Sequence, residues 1–542
     1  MRRRHIFAAI LSFMALTALI LAGCGSEDSP TDTGGGDPTG PAIWYVDIDA
    51  MGTGDGKSWD NAFEHPSDAM AAASSGDQIW VADGRYFGPG DRTVPVVAFK
   101  AGVSMYGGFT GGETDLSQRD TADRAVFDGG DSLYHVVTGA DNVLLHGFHI
   151  WEGNASGTGD ISEQRGGGIY CYDAKMRISN CQIDDNEAGL GGGVYAENDT
   201  IVIDSCMFVN NHAYSVERTA AGGGAINIFT GEAAISDCTI RENTSGTKGG
   251  GILVYRGKIT VTDSEISMNS TISTLADGGG VLLIGETSRP PDHLASEFTS
   301  CRFTDNMSGY GGAVRATDTS PLFTDCEFEG NDAGMIGAAL YGWASSFLME
   351  HCILESNGVT AVSANLPQVT FQNPRIFNCL FLSNGDIDTD GGAIRNDSVD
   401  IEIECCTLVG NRARNGGGIL STGTCSPVIT NCILWSNTAG MAGDQIHDTS
   451  GATSVVTYTD IDQTGFDGAE LYNLRSDPLF VAGSRGDHYL SQIAAGQGAN
   501  SPCVDAGSNT AVYFLLHTMT TMTSNVVDAG QVDIGFHYET DD

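Results

Sequence analysis

The chain has 542 residues, with 26 Lys and Arg against 69 Asp and Glu, and a formal net charge of −43. Nucleic-acid recognition needs a cationic footprint, so that class of function is excluded. With 41% hydrophobic and 18% charged residues there is enough apolar material for a core and too little charge density for a disordered acidic tail. The 73 glycines against 14 prolines point to regular turns rather than to collagen or low-complexity sequence.

Residues Met1 to His5 hold three arginines, Ile6 to Ile20 is an apolar run of 15 residues, and Leu21-Ala22-Gly23-Cys24 follows directly. Such a run is short for a membrane span, which needs about 20 residues, and residues 1–23 read as an export signal. Residues 21–24 resemble the lipobox of bacterial lipoproteins. That resemblance implies that Cys24 is lipidated, becomes the new N-terminus and holds the protein to a membrane. Removing residues 1–23 takes three arginines and leaves a mature charge of −46. Residues 24–42 are rich in Gly, Pro, Ser, Thr and Asp and read as a flexible tether. Gly25 stands where enteric-type lipoproteins retained at the inner membrane carry aspartate, which favours the outer membrane or cell surface.

Residues 43–130 are expected to form an N-terminal cap and the first coils. They include a short helix, Pro66 to Ser74, with Ser67 as its N-cap. Residues 131–440 are dominated by a repeat. Segments of the form Cys-x-apolar-x-x-Asn begin at Cys181, Cys206, Cys238, Cys301, Cys326, Cys352, Cys379, Cys406 and Cys432, with Ser264 in the same role. Their spacing clusters near 26 residues with two insertions, and Gly-rich turns such as Gly191-Gly192-Gly193 lie between them. Apolar residues alternate within each unit, as at Ile201 and Ile203, which is the period of half-buried strands. Three short strands with turns consume about 25 residues, and stacking them in parallel at about 4.8 Å pairs the backbone of each coil with its neighbours. The fold expected is all-β, a single-stranded right-handed parallel β-helix of about ten to twelve coils. Its Cys position is an interior ladder, its Asn position a turn ladder, and glycines supply positive φ. Residues 441–542 are expected to end and cap the β-helix.

Thirteen further cysteines in an exported chain raise the question of disulfides. Stacked ladder side chains have parallel Cβ vectors about 4.8 Å apart, whereas a disulfide needs inclined Cβ atoms near 3.8 Å, so the ladder is read as free thiols. Cys171, Cys405, Cys425 and Cys503 lie off the ladder, and the sequence assigns them no pairing.

The repeats resemble the pectate-lyase-like right-handed β-helix superfamily, and the Gly-Gly-Gly-apolar and Phe/Leu-x-x-Asn segments resemble those of chlamydial polymorphic outer-membrane proteins. Ser476-Asp-Pro-Leu-Phe480, Ser501-Pro-Cys-Val-Asp-Ala-Gly507 and Val532-Asp-Ile-Gly-Phe-His-Tyr-Glu539 are similar to a C-terminal module of bacterial surface proteins that carry various anchors. These resemblances imply surface display, adhesion or polysaccharide contact, with Cys24 as the anchor.

Candidate chemistry is sparse. Gly52 to Ser58 lacks the first glycine of a phosphate loop and reads as a turn. Asp386, Asp388 and Asp390, followed by Gly391 and Asp397, have the ligand spacing of a calcium loop, or of a solvated acidic turn; Ca2+ is the one cofactor suggested. Asp184 and Asp185 are the adjacent carboxylates on a ladder strand and the candidates for catalysis, should two carboxyls converge. Tyr214, Glu217 and Arg218 lie in a lengthened loop that a solenoid would stack along one edge, as candidate binding residues. The function expected is that of a lipid-anchored surface protein with a non-catalytic adhesive, structural or glycan-binding role. Partners would be a membrane through the lipid and a polysaccharide or cell-surface protein. A polysaccharide lyase or glycoside hydrolase acting on acidic polysaccharide is the alternative, and a calcium-dependent binding module a further one.

Overall fold

Each repeat folds as one coil of short strands laid in register on the coil before it. Lys175–Ser179, Gln182–Asp184, Glu187–Ala188 and Val194–Glu197 make one coil. They pair in parallel with Thr200–Asp204, Met207–Val209, His212–Ala213 and Ile226–Phe229 of the next. The computed structural model describes residues 40–120, 122, 124–157, 159–214, 222–286, 295–365, 373–466 and 470–540, and Cys24, Glu217 and Arg218 fall outside them. Three long parallel sheets result, here A, B and C in coil order, with 15, 14 and 13 strands. A fourth sheet, D, of 7 short strands fills the corner between ladder Asn and Gly turn, so a coil has four strands where three are expected. The 15 strands of sheet A also exceed ten to twelve coils, because strands before Cys181 and after Cys432 join the same ladder. At about 4.8 Å per strand sheet A is roughly 65–70 Å long.

Alternation sets which side chains enter the core. In Thr200–Asp204, Ile201 and Ile203 are buried while Thr200, Val202 and Asp204 face outward. Identical neighbours stack, as with the Phe303 and Phe328 rings 4.7 Å apart.

The corners are tied by side chains. Asn186, Asn211, Asn243, Asn269, Asn306, Asn331, Asn357, Asn384, Asn411 and Asn437 form a column in which every member is at most 2% exposed. Asn211 Nδ2 donates to Asn243 Oδ1 at 3.0 Å and to the Ile183 carbonyl at 2.9 Å, and the Asn211 backbone N–H reaches the same Oδ1 at 2.9 Å. One amide thereby satisfies a backbone donor and a backbone acceptor that the turn leaves without a strand partner. At the column's ends Asn186 Oδ1 accepts from the Gly153 N–H at 2.9 Å, and Asn437 Nδ2 donates to Gln445 Oε1 at 2.6 Å.

The Cys column works in the same way. The Cys181 N–H donates to Cys206 Sγ at 3.4 Å, and Cys206 Sγ–H donates to the Asp204 carbonyl at 3.2 Å. Ser264 takes both roles, at 3.1 and 2.7 Å, and Thr459 accepts from the Cys432 N–H at 3.3 Å. All thirteen described cysteines are buried free thiols.

Left-handed residues precede both columns, and most are not glycine: Asn180 and Ser205 before Cys, Asp185 and Asn210 before Asn, with φ between 49° and 54°. Asn and Asp tolerate this conformation better than other side chains. Glycine is needed at the third turn, where Gly191 has φ 64°. Beside it a Cβ on Gly192 would lie 2.5 Å from the Gly224 carbonyl oxygen and 2.6 Å from that of His212.

The helix Pro66–Ala72 is capped at His65 with Pro66 in its first turn, not at Ser67, because proline's fixed φ and missing N–H suit the first helical position. Its Ala69 and Met70 enter the main core. At the other end Gln463 Oε1 accepts from the Gln445 and Ile446 N–H groups at 2.9 and 3.0 Å, and Asn473 Oδ1 from the Thr459 N–H at 3.0 Å. These amides stand in for a further coil. Residues beyond 476 do not continue the end cap; they turn back and cover the outer face of sheet B, where Tyr489 and Phe536 pack on Leu380.

Replacing Asn331 by Leu leaves an Asn306 amide N–H and turn backbone groups unpaired, so it should lower the unfolding free energy by about 3 kcal/mol in urea titration. Cys326→Ser, which keeps a donor and an acceptor in the column, should cost less than about 1 kcal/mol.

Candidate functional site

The outer face of sheet B carries the most concentrated chemistry near its N-terminal end. Register places Phe87, Asp128, Trp151 and Asp184 in one outward column, and Arg85, Val126, His149 and Gln182 in the next. Arg85 reaches across to ion-pair with Asp128, whose side chain is fully buried, and the Gly130 N–H donates to the other Asp128 oxygen at 2.6 Å. The Arg85 guanidinium stands 4.5 Å from the Trp151 ring centre and 5.2 Å from that of Phe87. Glu152 Oε2 lies 4.0 Å from the same guanidinium.

The two aspartates read from the repeat part company. Asp184, on the strand Gln182–Asp184, pairs with His149 Nε2 and accepts from Gln182 Nε2 at 3.3 Å. Asp185 is the left-handed corner residue, and its Oδ2 accepts from Trp151 Nε1 at 3.2 Å. Burial, reinforced by the charge of Asp128 and opposed by Arg85, raises the Glu152 carboxyl above the ordinary glutamate range. The result is a ledge of Phe87, Arg85 and Trp151 bordered by Glu152, Asp184 and Asp185. Phe87 is 51% exposed, so its ring is available to a ligand.

Arg85, Asp128, His149, Trp151 and Glu152 escaped the repeat reading. A signal exists: Phe148-His-Ile-Trp-Glu-Gly153 matches Cys181-Gln-Ile-Asp-Asp-Asn186 position for position, with Phe in place of Cys and Gly in place of Asn. Substitution at both anchor residues hides the coil.

Other sequence candidates are not gathered into a site. Tyr214 donates its hydroxyl to the Ala155 carbonyl at 2.9 Å, and burial pushes that hydroxyl up to about 12. The Asp386 to Asp390 segment is not assembled as a calcium loop. Arg414 holds Asp390 through two bonds of 3.0 and 2.7 Å, and Asn415 adds one of 2.9 Å. Burial alone would raise the Asp390 carboxyl, but these partners hold it below the usual range, and Arg414 supplies the positive charge a cation would bring. Asp386 Oδ1 instead accepts from the Asp388 N–H at 3.0 Å, while Asp397 pairs with Arg395 at 3.2 Å. Among the described residues no three His, Cys, Asp or Glu side chains converge as a metal site.

Residues 152–290 match the family model of the right-handed beta helix region. The solenoid is a right-handed parallel β-helix. Solved structures similar to it include pectate lyase Pel9A, at 14% identity over 93% of this chain and 97% of that one, with a TM-score of 0.25. A family 28 exopolygalacturonase of Yersinia enterocolitica is 7% identical over 77% of this chain and 78% of its own, with a TM-score of 0.30. A rhamnogalacturonan lyase is 12% identical over 87% and 98%, with a TM-score of 0.23. No curated protein matches the chain.

The β-helix places Asp128 beneath Arg85, and removing the cation strands a buried charge. Arg85→Gln should therefore lower stability by about 2 kcal/mol, and adding Asp128→Asn should recover most of it; a double-mutant cycle by denaturant titration measures the coupling.

Proposed function

We propose that this protein is an exported, lipid-anchored β-helix that holds a polysaccharide on the outer face of sheet B without cleaving it. The observation that carries the reading is the ledge itself. An exposed Phe87 ring, a half-exposed Arg85 and the carboxylates of Glu152, Asp184 and Asp185 lie together on a rigid sheet. Aromatic faces suit the apolar faces of sugar rings, and fixed carboxylates accept their hydroxyl donors. The groups that would move protons are already engaged with one another, His149 with Asp184 and Arg85 with Asp128, which suits holding a ligand more than transforming it. The anchor in this reading is Cys24, and the membrane is its other partner.

One observation favours catalysis as a second reading. Glu152 has a raised carboxyl and faces the charges of Asp128, Asp131 and Asp185, an asymmetry of the kind that separates a general acid from a second carboxylate in glycoside hydrolysis.

A glycan array should show binding that Phe87→Ala weakens at least about tenfold, the scale of one lost ring contact. Reducing-end and unsaturated-product assays on the bound glycans should show no product. Product that Glu152→Gln abolishes would replace binding by hydrolysis or elimination. Separately, Cys24→Ala should move the protein from the membrane fraction to the soluble fraction; equal membrane retention would remove lipid anchoring from the account.

A further inference from the structure

Residues 476–540 form a second layer over the last strands of sheet B, and that layer has two unlike sides. Inward, Ala511, Phe514, Leu516 and Met519 bury against Phe377 and Cys405. Two long-range bonds fasten it: the His537 N–H donates to Asn378 Oδ1 at 2.7 Å, and Asn378 Nδ2 donates to the His537 carbonyl at 2.8 Å. Outward, Val512, Tyr513 and Leu515 of one segment and Val526 and Val527 of another are exposed. The two segments are tied together. The Ala511 N–H donates to the Gly530 carbonyl at 3.0 Å, the Asp528 N–H to the Met519 carbonyl at 2.8 Å, and the Thr520 hydroxyl to the Val526 carbonyl at 2.6 Å. Contiguous exposed apolar patches of this kind mark sites where a protein or a membrane docks.

Charge sets this patch apart. Asn509 to Gln531 contains one acidic residue, Asp528, and no lysine or arginine, in a chain with 69 Asp and Glu. Asp528 is itself buried and lies 2.9 Å from His537 Nε2. The exposed side chains of the segment therefore include no carboxylate. Leu515 gives a second observation. It ends the helix Ala511–Phe514 with φ 64° and ψ 19°, the left-handed position that glycine or asparagine ordinarily takes. Most of the other left-handed residues besides glycine are Asp, Asn or Ser. A bulky apolar residue is disfavoured there, and a leucine 60% exposed regains little from packing within the chain.

We propose that this patch is a self-association face, on which a second copy of the chain docks about a twofold axis. Two molecules of net charge −43 repel each other over most of their surfaces. Contact is least opposed where neither brings charge, and an apolar patch complements its own twofold copy, as an isologous interface requires. A charge-depleted surface that presents a tyrosine also has the composition of an interface core. A lipid surface fits less well, because faces that lie on membranes are rich in Lys and Arg, and neither follows Arg485 in this chain. The inference is independent of the glycan reading and of the lipid anchor.

Sedimentation equilibrium of the full chain carrying Cys24→Ala, so that no lipid drives association, tests the face. A patch of this size belongs to the weak class of interfaces, with a dissociation constant of about 10–100 μM. The average mass should rise from one chain toward two between about 1 and about 300 μM. It should rise more readily at about 0.5 M salt than at about 0.05 M, where like-charge repulsion is less screened. Leu515→Asn, which suits the left-handed position, should leave the unfolding midpoint unchanged or higher and weaken association at least about tenfold. Val512→Asp, which sets like charges face to face, should weaken it as much, while Ile272→Asp, at an exposed residue outside the patch, should not. A single-chain mass throughout would overturn the proposal, as would dimers that both patch variants leave intact or assemblies that grow beyond two chains. Monomers that sediment with phosphatidylcholine vesicles, and cease to do so on Leu515→Asn, would overturn it in favour of a lipid surface.

Discussion

The buried asparagine column is the interaction on which the rest depends. A parallel solenoid pairs its strands easily and its corners badly, because at each corner backbone groups lose their partners in the neighbouring coil. A carboxamide has one acceptor and two donors in a plane, so it can bridge coil to coil and still serve a backbone carbonyl. Ten such residues from Asn186 to Asn437 do so with Nδ2–Oδ1 bonds near 3 Å. A carboxylate could not replace them, since it has no donor and its charge would be buried. The column therefore fixes the register of sheets B and D, and through the coil that of A and C. The thiols at the preceding corner repeat the solution with a weaker donor, which is why serine and threonine substitute there at Ser264 and Thr459.

Fixed register is what makes the Arg85 ledge possible. Phe87, Asp128, Trp151 and Asp184 come from four successive strands and hold a line because those strands pair in parallel register; the Asn column begins at the last of them, where Asn186 binds the Gly153 N–H. Asp128 on that line is paired with Arg85 of the neighbouring column, so a chain with a net charge of −43 presents a mixed surface there instead of a uniformly repelling one. Residues 476–540 cover the outer face of the same sheet over its last strands, while Phe87 at the earlier end is half exposed.

The repeats were legible because both column positions demand particular side chains: a thiol or hydroxyl, then five residues on an amide. Where the demand relaxes, legibility fails. Phe148 and Gly153 replace the pair in an earlier coil, so the ledge residues beside them were invisible to a motif search. The fourth strand was missed because two-residue segments such as Glu187–Ala188 have no detectable alternation. The fold-back of the C-terminal segment depends on contacts such as Asn378 with His537, 159 residues apart, that no local pattern encodes. The calcium spacing at Asp386 to Asp390 misled for a related reason: Arg414, one coil later, answers Asp390, and the sequence does not show that the two are neighbours.

A crystal structure at a resolution that orients side-chain amides is the most direct test of the central claim. The account predicts an unbroken chain of amide-to-amide bonds from Asn186 to Asn437, each Oδ1 from Asn211 onward accepting also from the backbone N–H of the previous coil's Asn, with no water in the column. An internal Asn turned outward, or a water interposed between two amides, would contradict it.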